Sequence, residues 1–190
     1  MNAPLALEIT LVDASEAPAL VAELAELLVH TVAHGASIGF LAPLAQGEAQ
    51  AYWQAVCAGL PDGEWLWVAR VAGQLVGTVQ LSPCPRANGR NRAEVCKLMV
   101  HADWRGQGIA SLLMAALEGK ARKLERGLLF LDTEAGSGAE ALYQSLGYTR
   151  VGEIPDYAAS PDGRLRPTAL YYKLLIERSL NPLPGAESEA

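Results

Sequence analysis

The stretch from Val95 to Leu117, VCKLMVHADWRGQGIASLLMAAL, constrains this chain more than any other. It begins as a strand, with Val95, Cys96, Leu98, Met99 and Val100 apolar or β-branched. It then passes through the polar segment His101–Trp104 and opens a helix at Arg105-Gly106-Gln107-Gly108-Ile109-Ala110. The two glycines leave no side chains over the helix start, so backbone N–H groups without intrahelical partners point into open space. The helix dipole adds roughly half a positive charge there, which favours a phosphate group. Arg105 supplies a full charge and a bidentate fork beside those amides. The sequence thus describes a pyrophosphate cradle between a strand and a helix.

Two other phosphate loops do not fit. No Gly-x-x-x-x-Gly-Lys-Ser/Thr occurs, so a P-loop is unsupported. Gly106-x-Gly108-x-x-Ser111 is a broken dinucleotide fingerprint, even with Asp132 near the distance of a ribose-binding acid. It lacks the third glycine and lies mid-chain behind strands that read as antiparallel.

The 190 residues suit one domain, placed at 1–176, with 177–190 a flexible tail containing two prolines and no periodicity. A net charge of −6 and a pI near 5.1 argue against nucleic acid. No apolar run approaches the ~20 residues of a membrane span. MNAPLALEIT does not read as a signal peptide. Cys57, Cys84 and Cys96 are odd in number and lack metal spacing, so free thiols in a reducing, cytoplasmic setting are expected. His30, His34 and His101 read as scattered, and no metal site is expected.

Along the chain, Leu7 to Leu11 reads as a first strand. A helix follows from Ser15-Glu16, with Leu20, Leu24, Leu27, Leu28 and Thr31 on one face, and closes at His34-Gly35. A second helix spans Gln46 to Ala58, with Tyr52, Trp53 and Val56 inward. Glu64–Val71 and Gln74–Leu81 flank Ala72-Gly73 as a β-hairpin, with Trp65 and Trp67 on one face. Ala93–Val100 is a fourth strand and Gln107 to about Arg126 a long helix, its Leu112, Leu113, Ala116 and Leu117 facing the sheet and Gly127 stopping it. Leu128–Thr133 is a continuous apolar run, expected to be a strand buried on both faces and parallel to the fourth in a right-handed βαβ unit. Ser137-Gly-Ala-Glu140 fits a capping box. Tyr148–Ile154 and Thr168–Ile176 read as the last strands.

The Arg-x-x-Gly-x-Ala loop after Leu-Met-Val resembles the acetyl-CoA loop of the Gcn5-related N-acetyltransferases. A second block, Ala141-Leu-Tyr-Gln-Ser-Leu-Gly147-Tyr148, is similar to that superfamily's other signature. Ala102 stands where the family often has proline. The resemblance implies an α/β (α+β) N-acetyltransferase fold: a mixed, mostly antiparallel sheet with a parallel splay between the fourth and fifth strands, and flanking helices. It also implies acetyl-CoA as co-substrate, held by Arg105, Gly106, Gln107, Gly108, Ile109, Ala110 and Ser111 and by main-chain groups of Leu98, Met99 and Val100. A backbone N–H near Met99 or Val100 is the expected oxyanion donor.

By the same resemblance, Tyr143 is the acid that protonates the leaving thiolate; a phenol of pKa ~10 is near a thiol of ~8.5. Glu94 and Asp132, brought together by adjacent strands, are the candidates for base or for electrostatic binding of the ammonium, with Glu134 in reserve. The small-residue loop Gly35–Phe40 lies where this fold closes over the acceptor. Ser37 and Phe40 are its candidate contacts, although an ordinary connector anchored by Phe40 reads as well. Cys96 is expected to be a core cysteine, not an acylated nucleophile.

Further blocks, from Gly35–Phe40 and Asn91–Val95 to Leu131–Ser137 and Pro161–Leu165, resemble the tabtoxin resistance family of tabtoxinine-β-lactam acetyltransferases. That implies detoxification, a form of antibiotic resistance, by acetylating the amine of a small amino-acid-like toxin. The partners expected are a small-molecule amine and no nucleic acid or membrane, in a monomer or homodimer. A protein or peptide N-acetyltransferase and a non-catalytic acyl-CoA sensor are the alternatives.

Overall fold

The computed structural model describes residues 6–176; the tail expected over 177–190 falls outside them. Seven strands form one sheet: β1 (Leu7–Leu11), β2 (Trp65–Val71), β3 (Gln74–Pro83), β4 (Arg92–Val100), β5 (Leu128–Glu134), β6 (Thr149–Ala159) and β7 (Leu165–Leu174), in the order β1-β2-β3-β4-β5-β7-β6. Four helices flank it: α1 (Ala17–Ala33), α2 (Gln46–Gly59), α3 (Ile109–Lys123) and α4 (Gly138–Ser145). Only β4 and β5 pair in parallel; every other pairing is antiparallel. This is the mixed sheet with a parallel fourth and fifth strand that the resemblance implied.

The sheet has two apolar faces because its strands alternate. Trp67, Ala69, Val79, Leu81, Ala93, Val95, Leu129 and Leu131 pack against Leu113, Met114 and Leu117 of α3 and Tyr143 of α4. Leu66, Val68, Leu75 and Met99 pack instead against Leu24 and Leu28 of α1 and Trp53 of α2. Trp65, with Lys120 over its ring, lies on the α3 face, so both hairpin tryptophans serve that core. At Gly77, an added Cβ would sit 3.0 Å from the Met99 carbonyl and 3.2 Å from Leu113; α3 approaches β3 this closely only over a glycine.

β4 changes face partway along. Ala93 and Val95 point into the α3 core, yet Met99, also odd-numbered, is buried against α1. Between Thr78 and Gln80 of β3, the partner strand runs from Met99 to Cys96, one residue more. That extra residue is a β-bulge, and it inverts the alternation beyond it. Lys97 sits there with φ +50°.

Several expected boundaries shift for local reasons. Gly108 holds φ +79°, so α3 begins at Ile109 instead of Gln107. Its buried stripe runs Ile109, Leu113, Met114, Leu117, Ala121, which leaves Leu112 49% exposed instead of facing the sheet. The helix ends at Lys123 because Glu125 turns left-handed. Gly127 is small for another reason: a Cβ there would lie 2.6 Å from Asn91 Oδ1. β5 is not buried on both faces: Leu129 and Leu131 are covered, whereas Asp132 is exposed. β6 runs past its expected end at Ile154 to Ala159, and β7 begins earlier, at Leu165, but stops at Leu174 instead of Ile176; an irregular register between Ile154 and Ala158 absorbs Pro155 and the left-handed Asp156. The capping box does not close. Ser137 makes no side-chain cap, and Glu140 Oε1 accepts from Gly136 N instead, at 2.7 Å.

Candidate active site

The parallel pair β4–β5 is short. Arg92, Ala93 and Glu94 pair with Leu128, Leu129 and Phe130, and then the strands part. β4 stays with β3 as far as Val100, and β5 stays with β7 through Glu134 and Thr168. Beyond Glu94 the two facing edges therefore lack each other, and their backbone groups line a gap. A chain carrying amides can pair with such an edge. His101 N donates to Val76 O at 2.8 Å, so odd-numbered residues at this end of β4 turn toward β3. Alternation leaves the N–H groups of Leu98 and Val100 on the open edge and turns that of Met99 away.

One end of the gap meets the start of α3. Gly106 and Gly108 both hold left-handed φ, +75° and +79°, and a Cβ on either would meet nothing within 4 Å. The space over the free amides of Ile109, Ala110 and Ser111 is thus open, as a diphosphate requires. Arg105 is tethered through Nε to Val100 O at 3.1 Å, which sets its guanidinium beside the cradle. These residues fit the diphosphate of acetyl-CoA.

Glu94 and Asp132 lie on the α1–α2 face of the gap, opposite the buried Ala93, Val95 and Leu131. Burial, and then the Asp132 carboxylate, hold Glu94 above the ordinary carboxylate range. Asp132 accepts from Thr168 Oγ1 at 3.1 Å, which fixes its orientation. Glu134 is bound by Ser160 Oγ instead, so the reserve candidate is engaged elsewhere. Tyr143 comes from the other face. It is buried between Tyr148 and Tyr171, with ring centroids at 5.8 and 6.1 Å. Burial first, then the Asp132 and Cys96 charges, raise its pKa and keep the phenol protonated.

That shift removes the simple match between phenol and thiol. The Cys96 thiol is also pushed up, to about 12, chiefly by burial and next by Glu94. The same shift leaves Cys96 a thiol, unsuited to nucleophilic attack.

The sequence reading missed a group of polar side chains around Lys97. Its Nζ donates to Ile38 O at 2.7 Å and lies 5.7 and 5.5 Å from the ring centroids of Phe40 and Tyr52. Tyr52, Val56, Glu64, Gln80, Cys96 and Lys97 line a cavity of about 220 Å³ on this side of the sheet. Gln80 donates to Tyr52 OH at 3.2 Å, and Ser82 to Glu64 at 2.7 Å. The signal available was a lone lysine inside an apolar strand. Ser37 is half-buried in the loop above; Phe40 packs edge-on against Tyr52, 5.3 Å away, as the loop's anchor.

The three histidines are not scattered. His30 stacks on His101 with centroids 3.6 Å apart and lies 3.9 Å from His34. His30 Nε2 accepts from Ala102 N at 3.1 Å, bracing the chain where it leaves β4 for the cradle. Among the described residues no group of three or more His, Cys, Asp or Glu side chains is placed to hold a metal ion.

The sequence model of the acetyltransferase (GNAT) family matches residues 40–148, which includes the gap, the cradle and Tyr143. The chain belongs to the GNAT family. Among curated GNAT-type relatives, N-acetylaspartate synthetase of Danio rerio is 36% identical over 98 residues, 51% of this chain and 34% of that protein. N-acetyltransferase 8 of Rattus norvegicus is 36% identical over 95 residues, 48% of this chain and 42% of that one. The match thus spans less than half the length of either relative. Among solved structures, a putative acetyltransferase from Acinetobacter baylyi superposes with a TM-score of 0.76 at 21% identity, covering 96% of this chain and 98% of that one. A putative acetyltransferase from Salmonella typhimurium, solved with acetyl-CoA, gives 0.74 at 22%, covering 92% and 96%. At those identities the likeness is one of fold.

Proposed function

We propose that this GNAT protein moves the acetyl group of acetyl-CoA to the amine of a small molecule by direct attack in a ternary complex. One observation carries this reading: β4 and β5 part beyond Glu94, with Glu94 and Asp132 on one face of the gap, Tyr143 of α4 buried on the other, and the open cradle at its end. Acetyl-CoA supplies the acetyl group and departs as the free thiol. The amides of residues 106–111 with Arg105 hold its diphosphate, and the edge of β4 holds its arm. Glu94, its pKa raised, takes the ammonium proton directly or through water, while Asp132 holds the ammonium in place. The exposed N–H of Val100 stabilises the thioester oxygen as charge builds on it. The amine then attacks the thioester carbon, the C–S bond breaks and Tyr143 donates its proton to the leaving sulfur, while the proton that the nitrogen loses as the amide forms restores the phenol.

The acceptor end supports a small substrate over a peptide. The loop after α1 is bonded across that end, with Ala42 N donating to Pro161 O of the β6–β7 turn at 2.9 Å. That tie supports an acceptor space narrower than the open groove a polypeptide needs. The loops that resemble the tabtoxin resistance family make tabtoxinine-β-lactam the first acceptor to test and detoxification the role we assign. The three free thiols suit a reducing cytoplasm, and no described helix is long and apolar enough to cross a membrane.

The test is thiol release from acetyl-CoA against tabtoxinine-β-lactam, other amino acids, polyamines, aminoglycosides and short peptides. Saturable turnover on one small amine is the expected result. Turnover confined to peptides overturns it, and tight acetyl-CoA binding without turnover on any amine leaves a sensor.

A further inference from the structure

Lys97 occupies a backbone conformation that non-glycine residues rarely adopt, φ +50° in the β-bulge of β4. Such an outlier persists only where its surroundings hold it, and it calls for a reason. The reason lies in where the bulge sends the side chain. Lys97 is half-buried, with its ammonium under the loop that follows α1. There it donates to the Ile38 carbonyl at 2.7 Å and lies 5.7 and 5.5 Å from the ring centroids of Phe40, from the same loop, and Tyr52, from α2. Gly39 lies directly against it: a Cβ there would be 3.3 Å from Nζ, and its φ is +93°. The loop is thus shaped to admit this one ammonium. Its far end is tied to the β6–β7 turn through Ala42 and Pro161. Residues 38–42 form a strap fastened at both ends across the acceptor side of the gap.

We propose that Lys97 is a positioning and specificity residue: it latches the 38–42 strap over the acceptor and thereby sets the width of amine that can reach Glu94 and Asp132. The proposal rests on the acetyl-transfer reading for its substrate but not for its geometry. Removing the ammonium frees the Ile38 carbonyl and ends both ring contacts, so the strap swings on its Pro161 attachment. Narrow acceptors then bind in a poorly held pose, and wider ones gain access. Cofactor binding depends on the opposite end of the gap and stays as it was.

Two variants separate the latch from a simple loss of fold. Lys97→Met keeps the apolar stem and loses the charge. Lys97→Gly suits the left-handed backbone and removes the side chain altogether. In both, hydrogen–deuterium exchange at the amides of residues 38–42 should rise, while exchange in β3 and β5 stays unchanged. With an acceptor in hand, its KM should rise about tenfold, the scale of one lost charged hydrogen bond. Acetyl-CoA affinity should stay within about twofold, a difference too small to reflect a lost contact. Lys97→Arg, which restores a cation and donors, should recover part of the KM. Unchanged exchange over 38–42 overturns the latch, and so does acetyl-CoA affinity that falls in step with KM. If no amine is ever turned over, the acetyl-transfer reading fails by itself and the exchange measurement still decides the latch.

Discussion

The two ends of the gap between β4 and β5 are built in opposite ways. At the proposed cofactor end, seven consecutive residues, Arg105 to Ser111, form the diphosphate cradle, and they form it by leaving space. Two left-handed glycines with nothing around them expose the first amides of α3. At the acceptor end, the groups come from β3, β4, β5, α2, the loop after α1 and the β6–β7 turn, and they work by filling space. Burial and then the Asp132 charge raise the pKa of Glu94, and Lys97, left-handed in its backbone, donates to the Ile38 carbonyl of the loop above. A diphosphate is the same in every reaction of acetyl-CoA, so a contiguous loop suffices for it. An acceptor must be discriminated, which takes contacts from several directions.

The largest effect is expected where the chemistry between the two ends rests on one side chain. Tyr143→Phe should lower kcat by about 100-fold, the scale of a lost general acid, with acetyl-CoA affinity nearly unchanged. Unaltered turnover would remove Tyr143 as the acid. Next comes the cradle. Gly108→Val forces a β-branched residue into φ +79° and stands a side chain over the amides. The strain weakens the fold, and covering amides that would bond the diphosphate costs about 1.5–3 kcal/mol of charge-assisted hydrogen bonding, which corresponds to acetyl-CoA binding weakened by roughly 10- to 150-fold in calorimetry. The acceptor KM at saturating cofactor should hold. A change in both constants would mean that the two ends are not separately built.

This difference also explains what could be read from the sequence. The glycine cradle and the β2–β3 hairpin are local patterns that spacing marks, whereas Tyr143 is singled out by the resemblance to the family's second signature. The strand alternation around Glu94 was legible as well, but only up to the bulge. At Lys97 one extra residue inverts the faces, and no sequence period announces an inversion. The strap's two fastenings join Lys97 to Ile38 and Ala42 to Pro161, residues far apart in the chain. His30 and His101, far apart in the chain, stack face to face because α1 ends against the end of β4. Long-range packing sets such contacts, and neither composition nor periodicity carries them.

A smaller effect tests the crowding of the acids. A base works only when deprotonated, so activity should fall as pH drops through the pKa of Glu94. That pKa is raised by burial and then by the Asp132 charge. Asp132→Asn removes the repulsion, lowers the pKa of Glu94 and moves the acidic limb of kcat/KM to lower pH. A limb that stays in place, with only its height reduced, would show that Glu94 is not the group titrating there.

The smallest effect belongs to the histidine stack, which braces the cradle from the side of α1. His30 has its pKa lowered by burial, then by the neighbouring charges of His101 and His34. Arg105 adds to this, and Asp103 partly opposes it. Neutral His30 accepts from Ala102 N, a bond that protonation removes. As pH falls below about 6.5, where an unperturbed histidine titrates, the unfolded chain binds a proton that folded His30 resists. Stability should therefore decline through that window and level off below the folded pKa. His30→Gln keeps an acceptor near Ala102 N without the charge and leaves His34 and His101 in place. Urea midpoints measured between about pH 7.5 and 5, a range that spans the ordinary histidine pKa, should fall further in the native protein than in the variant. Parallel declines would place the sensitivity elsewhere and leave the cradle's bracing independent of pH.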